Sequence, residues 1–229
     1  MISVCAAYWK RQSELDRMVE NFAAVYPDLD YELSICDDGS PEPAVRPESD
    51  RLILTHLPRK TIPLNPCRPL NVAVARSQGS LIVLTNPEIE HREPVLQAMA
   101  AMLTDPMDYV TCGCWDSRNV WLAGPLTDYG KRGRLPVPAG AHFHFCAMFT
   151  RTLWQEAGGF DEDYRNGHGC EDNDWLWRAW EAGANFKYCP KTVYHTPSRV
   201  SWGLPHNSTL FYRKWPEARR RERVKRVSA

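Results

Sequence analysis

Nowhere in the 229 residues does an apolar run approach the roughly 20 needed to cross a bilayer, which excludes a membrane-spanning helix. The opening residues run straight into a strand-like segment, without a charged stretch leading into a long apolar one, so no secretory leader is expected. Internal repeats are absent, which argues against a solenoid or propeller. Structural-zinc spacing is absent too. Cys112-Gly113-Cys114 has no second Cys/His pair to complete a tetrahedral site, so these two cysteines read as buried thiols. The eight cysteines do not suggest a disulfide framework, because Cys5, Cys36, Cys146 and Cys189 fall in apparent strands, where reduced Cys is a small hydrophobe. A reducing, cytoplasmic setting is the simpler expectation. Net charge is also lacking, with 28 basic and 28 acidic residues.

What is present is unevenly distributed. From Arg213 onward there are eight basic and two acidic residues, so the rest of the chain is acidic. The length suits one domain at residues 1–200 with a basic tail at 201–229. The tail segment 213–226 either meets an anionic membrane surface, which would make the protein peripheral there, or touches nucleic acid, or is a solvated helix. Trp202, Phe211 and Trp215 are candidates to pin its start to the body. Nine tryptophans are many for this length, and several are expected to line a cleft as well as the core.

The first half alternates strand and helix patterns. Strands are predicted at 2–7, 31–36, 52–57, 81–85 and 109–112. Helices are predicted from Ser13 as N-cap, with Leu15, Met18, Val19, Phe22 and Tyr26 on one face, and over 70–77 and 94–103. The run 81–85 is almost wholly apolar, as in a strand covered on both faces. Such alternation predicts an α/β fold with a mostly parallel central sheet flanked by helices. In the second half, 113–140 reads as loop over a site. A strand is predicted at 142–150, a turn at 158–161, a helix at 171–182 closed by Gly183, and a last strand at 185–189 stopped by Pro190.

Ligands of parallel sheets bind beyond the carboxyl ends of strands, and three polar clusters matter there. Cys36-Asp37-Asp38-Gly39-Ser40 could accept from a nucleobase N–H or a ribose hydroxyl, with Gly39 allowing close backbone approach, or could simply be a turn. Asn86-Pro87-Glu88 could place a carboxylate on a divalent ion that neutralises a diphosphate, or be a solvated turn. Glu171, Asp172 and Asp174 open a helix, where acids suit the macrodipole. At 100° per residue Asp172 and Asp174 lie nearly opposite, so one can enter a cleft while another caps. A carboxylate so placed can take a proton from a hydroxyl. Gly167 and Gly169 suggest close approach of something bulky, and His195 could add an imidazole to the same ion.

In this order the segments CDDGS at 36–40, RPLNVAVARSQGSLIVLTNPEIEH at 68–91 and GGFDEDYRNGHGCEDNDWLWRAWEAG at 158–183 resemble the GT-A glycosyltransferases of family 2 and their relatives. The last segment is also similar to the galactosyltransferase and polypeptide N-acetylgalactosaminyltransferase branches. The resemblance spans about residues 2–196. It implies a single GT-A, Rossmann-like domain, with 1–95 binding a nucleotide-sugar and 96–200 an acceptor, and an inverting transfer from a UDP- or dTDP-sugar to a carbohydrate or other hydroxyl acceptor. Donor contacts would come from Ala7, Tyr8, Asp37, Asp38, Arg68, Arg76 and Asn86. Asn86, Glu88 and His195 would hold Mn2+ or Mg2+. Asp172 would be the catalytic base beside Glu171, with Glu171, Trp175 and His168 at the acceptor. The family's Asp-x-Asp metal motif reads Asn86-Pro87-Glu88 here, which leaves an ion held by Glu88 and His195, or no ion. Other classes are a catalytically silent nucleotide-sugar-binding module, a transferase acting on modified nucleic acid, and a nucleotidyltransferase. The last would need a glycine-rich phosphate loop where Ala6-Ala7-Tyr8-Trp9-Lys10 stands.

Overall fold

Alternation along the first strand decides which side chains go to which face of the sheet. The computed structural model describes residues 1–116, 121–123, 145–196 and 204–218. In it, strand β1 (Ile2–Tyr8) sends Val4, Ala6 and Tyr8 to one side and Cys5 to the other. The chain continues through α1 (Gln12–Val25), β2 (Tyr31–Asp37), β3 (Leu52–His56), α2 (Cys67–Arg76), β4 (Leu81–Thr85), β5 (Ile89–His91), α3 (Val95–Met102), β6 (Asp108–Asp116) and β7 (Trp121–Ala123). It then forms β8 (Cys146–Thr150), α4 (Arg151–Ala157), a 3-10 helix (Glu162–Asn166), α5 (Glu171–Glu181), β9 (Asn185–His195) and α6 (Ser208–Lys214).

One nine-stranded sheet results, ordered β3-β2-β1-β4-β8-β6-β9-β5 with β7 paired to β6. Pairings β3-β2, β2-β1, β1-β4 and β6-β9 are parallel, and β8 runs antiparallel between β4 and β6. Strands β1, β2, β3, β4, β6 and β9 therefore share one direction, and the sheet is mostly parallel. Helices cover both faces. Leu15, Met18 and Phe22 of α1 pack with Val95, Leu96 and Met99 of α3 on one side. On the other, Leu70 and Val74 of α2, Leu153 of α4 and Trp175 and Leu176 of α5 pack together. Each fully buried side chain of this size contributes about 1.5–3 kcal/mol. Among the described residues no helix is long and apolar enough to cross a membrane.

The structure moves several expected boundaries. Helix α1 begins with Gln12 after Arg11, and Ser13 is not its cap; the Ser13 hydroxyl bonds Glu14 instead. Residues 113–116, expected as loop, extend β6. Strand β9 does not stop at Pro190. Cys189 pairs with Cys112 and Thr192 with Gly113, so Pro190 falls in a register shift where its missing N–H costs no ladder bond. Helix α4, which lacks a long apolar stripe, was not foreseen. All eight cysteines are buried, reduced thiols.

Candidate active site

The strand order reverses at β1, which has β2 on one side and β4 on the other. Beyond the carboxyl ends of these strands lies a cleft of about 410 Å3. Such a switch point is where an α/β sheet leaves room for a ligand. Ala7 and Tyr8 end β1, Asp38 follows β2, and Asn86 and Glu88 follow β4; all five line the cleft. Glu171 and Asp172 enter from the first turn of α5, with His168 and Gly169 before them. Asp38, Glu88 and Asp172, far apart in sequence, thus face one hollow.

Asp38 is buried, and its carboxylate accepts from Lys60 Nζ at 2.5 Å and from the Leu64 amide at 3.3 Å. Burial raises its pKa, with the Lys60 ammonium pulling the other way. Asp37 does not line the cleft. Its Oδ1 accepts from the Ser40 amide and hydroxyl and its Oδ2 from the Ala44 amide, so it builds the turn. Gly39, held at φ +82°, approaches the chain itself: a Cβ there would sit 2.1 Å from the Pro58 carbonyl oxygen.

Glu88 is 7% exposed and carries most of the charge logic at the β4 end. Its Oε1 accepts from Arg11 Nη1 in a salt bridge, and His195 Nε2 lies 3.4 Å from the same oxygen. Burial pushes the carboxyl up, but His195 and Arg11 together hold it below the ordinary value. Oε2 is buried without a hydrogen-bond partner among the described residues. A carboxylate with one orphaned oxygen and an imidazole beside the other suits a hard divalent cation that takes its remaining ligands from phosphate and water. Glu88 and His195 thus fit as a two-donor half-site, although among the described residues no group of three His, Cys, Asp or Glu is placed to hold a metal alone.

Helix α5 positions the acids. Its N-cap, Cys170, is left-handed at φ +69°, which costs a non-glycine residue about 1–2 kcal/mol, and Cys170 is held by packing with Tyr164, Trp177 and Phe211. Gly167 gives close approach to the chain rather than to a ligand, since a Cβ would lie 2.1 Å from Asn207 Oδ1. The amide of His168 donates to the Pro205 carbonyl, and its Nδ1 donates to the Leu204 carbonyl at 2.7 Å, leaving Nε2 as acceptor in the neutral ring. Glu171 Oε2 accepts from Asn65 Nδ2 at 2.6 Å, and Asp172 Oδ1 accepts from the Asn173 amide. Both acids are half-buried and both pKa values are raised. For Glu171 the cause is burial and then the neighbouring Asp172, opposed by Asn65; for Asp172 it is burial, opposed by the Asn173 amide.

Asp174 is not a cleft residue. It is 1% exposed and accepts from Tyr164 Oη, Trp215 Nε1 and Arg178 Nε, clamping α6 onto α5. Phe211 is also buried there, while Trp202 lies outside the described residues. Of the tail's basic residues, Lys214 pairs with Asp161 and Asp163, and 219–229 lie outside the described residues. Trp175, expected at the acceptor, is fully buried against Phe149, Trp154 and Phe160. Only one of the tryptophans whose side chains are described, Trp9, lines the cleft. Arg68 is exposed and does not line the cleft, although its neighbours Pro66 and Pro69 do. Arg76 closes the far end of α2, about 13 Å along the axis from Cys67, and is exposed. Sequence reasoning missed Arg11 and Asn65, which line the cleft; the available signal was a cation three residues after the first strand and a polar residue between Leu64 and Pro66.

No protein-family model and no curated protein matches the sequence. Solved structures do resemble the fold. S. aureus TarS 1-349 in complex with UDP-GlcNAc aligns with TM-score 0.69 at 13% identity, over 93% of this chain and 63% of that one. GalNAc-T7 with UDP, GalNAc and Mn2+ aligns with TM-score 0.67 at 17% identity, over 95% and 51%. The mannosyltransferase PcManGT from Pyrobaculum calidifontis, with GDP-Man and Mn2+, aligns with TM-score 0.61 at 14% identity, over 88% and 58%. The chain thus has the GT-A glycosyltransferase fold, and it spans about three fifths of the length of TarS 1-349.

Proposed function

We propose that the protein is a glycosyltransferase that moves a sugar from a nucleotide-diphosphate sugar, UDP- or dTDP-linked, to a hydroxyl acceptor with inversion. The observation that carries this reading is the single cleft lined by Asp38, Asn86 and Glu88 on the strand side and by Glu171 and Asp172 on the helix side. The base and ribose lie along Ala7, Tyr8 and Asp38, and the diphosphate lies toward Asn86 and Glu88. Residues 1–95 supply these donor contacts and 96–200 the acceptor side, with His195 crossing over to Glu88.

Asp172 takes the proton of the acceptor hydroxyl as its oxygen bonds to the sugar's anomeric carbon. The bond from that carbon to the phosphate oxygen breaks, and the nucleoside diphosphate leaves with the electron pair. A raised pKa matches a carboxylate that must accept a proton near neutrality. Glu171, fixed by Asn65, and His168 orient the acceptor. Glu88 and His195 would hold a divalent ion, of the kind present as Mn2+ in GalNAc-T7 and PcManGT, which would supply neutralisation of the leaving diphosphate.

A thermal-shift screen over UDP-, dTDP- and GDP-sugars, each with Mn2+, Mg2+ or chelator, tests the reading. Stabilisation by one nucleotide class is the expected result, since a ligand bound only by the folded state raises Tm. No shift with any donor would contradict it.

A further inference from the structure

Within the cleft the charges do not balance for an anionic ligand. Asp38, Glu88, Glu171 and Asp172 line it, and among the described lining residues Arg11 is the one side chain with a permanent positive charge. Lys60 is spent on Asp38. Arg11 stands three residues beyond the end of β1, immediately before α1, and its side chain is 17% exposed. Among the described residues its guanidinium has one acceptor, Glu88 Oε1, the carboxylate that would otherwise hold a divalent cation. A guanidinium carries five N–H donors in a planar fork that matches phosphate oxygens, so one edge can hold Glu88 and another remains for a ligand. With Arg11 in place the charge of Glu88 is already neutralised and a metal ion gains little there. A diphosphate arriving with its negative charge changes that balance.

We propose that Arg11 is a resident counter-ion, holding Glu88 in the empty cleft and turning its charge onto the diphosphate when a nucleotide enters, which frees Glu88 for a divalent ion. This rests on the reading of the cleft as a nucleotide-sugar site. It follows that nucleoside diphosphate binds without metal through Arg11, and that Arg11 weakens metal binding when nucleotide is absent. The two effects of removing Arg11 have opposite signs, which a purely structural role would not produce.

Calorimetric titration of the full chain with UDP in chelator, and separately with Mn2+ alone, tests this for wild type, Arg11→Gln and Arg11→Lys. Arg11→Gln should weaken UDP in chelator by on the order of tenfold, the worth of one charge-assisted hydrogen bond, and should tighten Mn2+ alone several-fold. Arg11→Lys, which keeps the charge, should lie closer to wild type in both titrations. Unchanged or weakened Mn2+ binding in Arg11→Gln overturns the role of Arg11 while leaving the nucleotide site intact. Wild-type protein that binds UDP only with the ion also overturns it. Wild-type protein that binds no nucleoside diphosphate, with or without ion, overturns the reading of the cleft and the role of Arg11 together.

Discussion

Asn65 donates its amide to Glu171 Oε2 across 2.6 Å, joining two residues 106 positions apart and tying the loop before α2 to the first residue of the acidic helix. Asn65 is buried, and its Oδ1 also accepts from the Cys67 amide, so it cannot swing away from Glu171 without giving up its bond to the first amide of α2. Glu171 is therefore positioned by a residue from the loop before α2, on the opposite wall of the cleft from α5.

Replacing Asn65 by Ala removes a donor that favours ionised Glu171, so the Glu171 carboxyl rises further. Already raised to about 7, it then ionises only above neutrality. The acidic limb of the pH–rate profile should move upward by on the order of one unit, with donor KM little changed. A limb that stays in place while the maximal rate falls would make Asn65 a structural residue only.

The raised carboxyls also predict a stability signature. A carboxyl with a folded-state pKa above its unfolded value ionises more readily in the unfolded chain, so its presence destabilises the protein as pH rises from the ordinary carboxylate range toward neutrality. Asp172→Asn removes that penalty. Thermal melts should show the variant gaining Tm over wild type at pH 8 and little at pH 4. An equal gain at both values would mean that the Asp172 charge is not disfavoured by the fold.

Asp174 holds three donors on two oxygens in a buried setting. Asp174→Ala leaves the Arg178 guanidinium and the Trp215 indole without that acceptor. The loss should be about 3–5 kcal/mol, in the range for breaking a buried pair from one side, and urea unfolding followed by tryptophan fluorescence measures it. A cost below about 1 kcal/mol would show that α6 is not clamped through this carboxylate.

These relationships divide what could be read in the sequence from what could not. Strand β4 matched its predicted limits because an apolar run covered on both faces admits one reading, and α1 matched along its core face because Leu15, Met18 and Phe22 repeat at the helical period. The cleft acids Asp38, Glu88 and Asp172 were legible because each follows a strand end or opens a helix. Asp37, Trp175 and Arg76 were misplaced for different reasons. A carboxylate next to Asp38 points to its own turn, an indole on the acidic helix turns toward the core, and Arg76 sits about two and a half turns from the cleft end of α2. Arg11 and Asn65 left only a faint local signal, since what gives them a role is Glu88 and Glu171, 77 and 106 residues away.

Glu88→Ala removes the carboxylate that fits a divalent ion beside His195. UDP affinity measured with Mn2+ should fall toward the value in chelator. Equal wild-type affinity with and without the ion would remove the metal from the account.

The most direct test compares transfer and donor binding in Asp172→Asn. The substitution keeps the shape of the side chain and removes the proton acceptor, so transfer to a hydroxyl acceptor should fall by at least about a hundredfold while donor affinity stays within a few-fold of wild type. Transfer at a rate near wild type would contradict the assignment of Asp172 as the base.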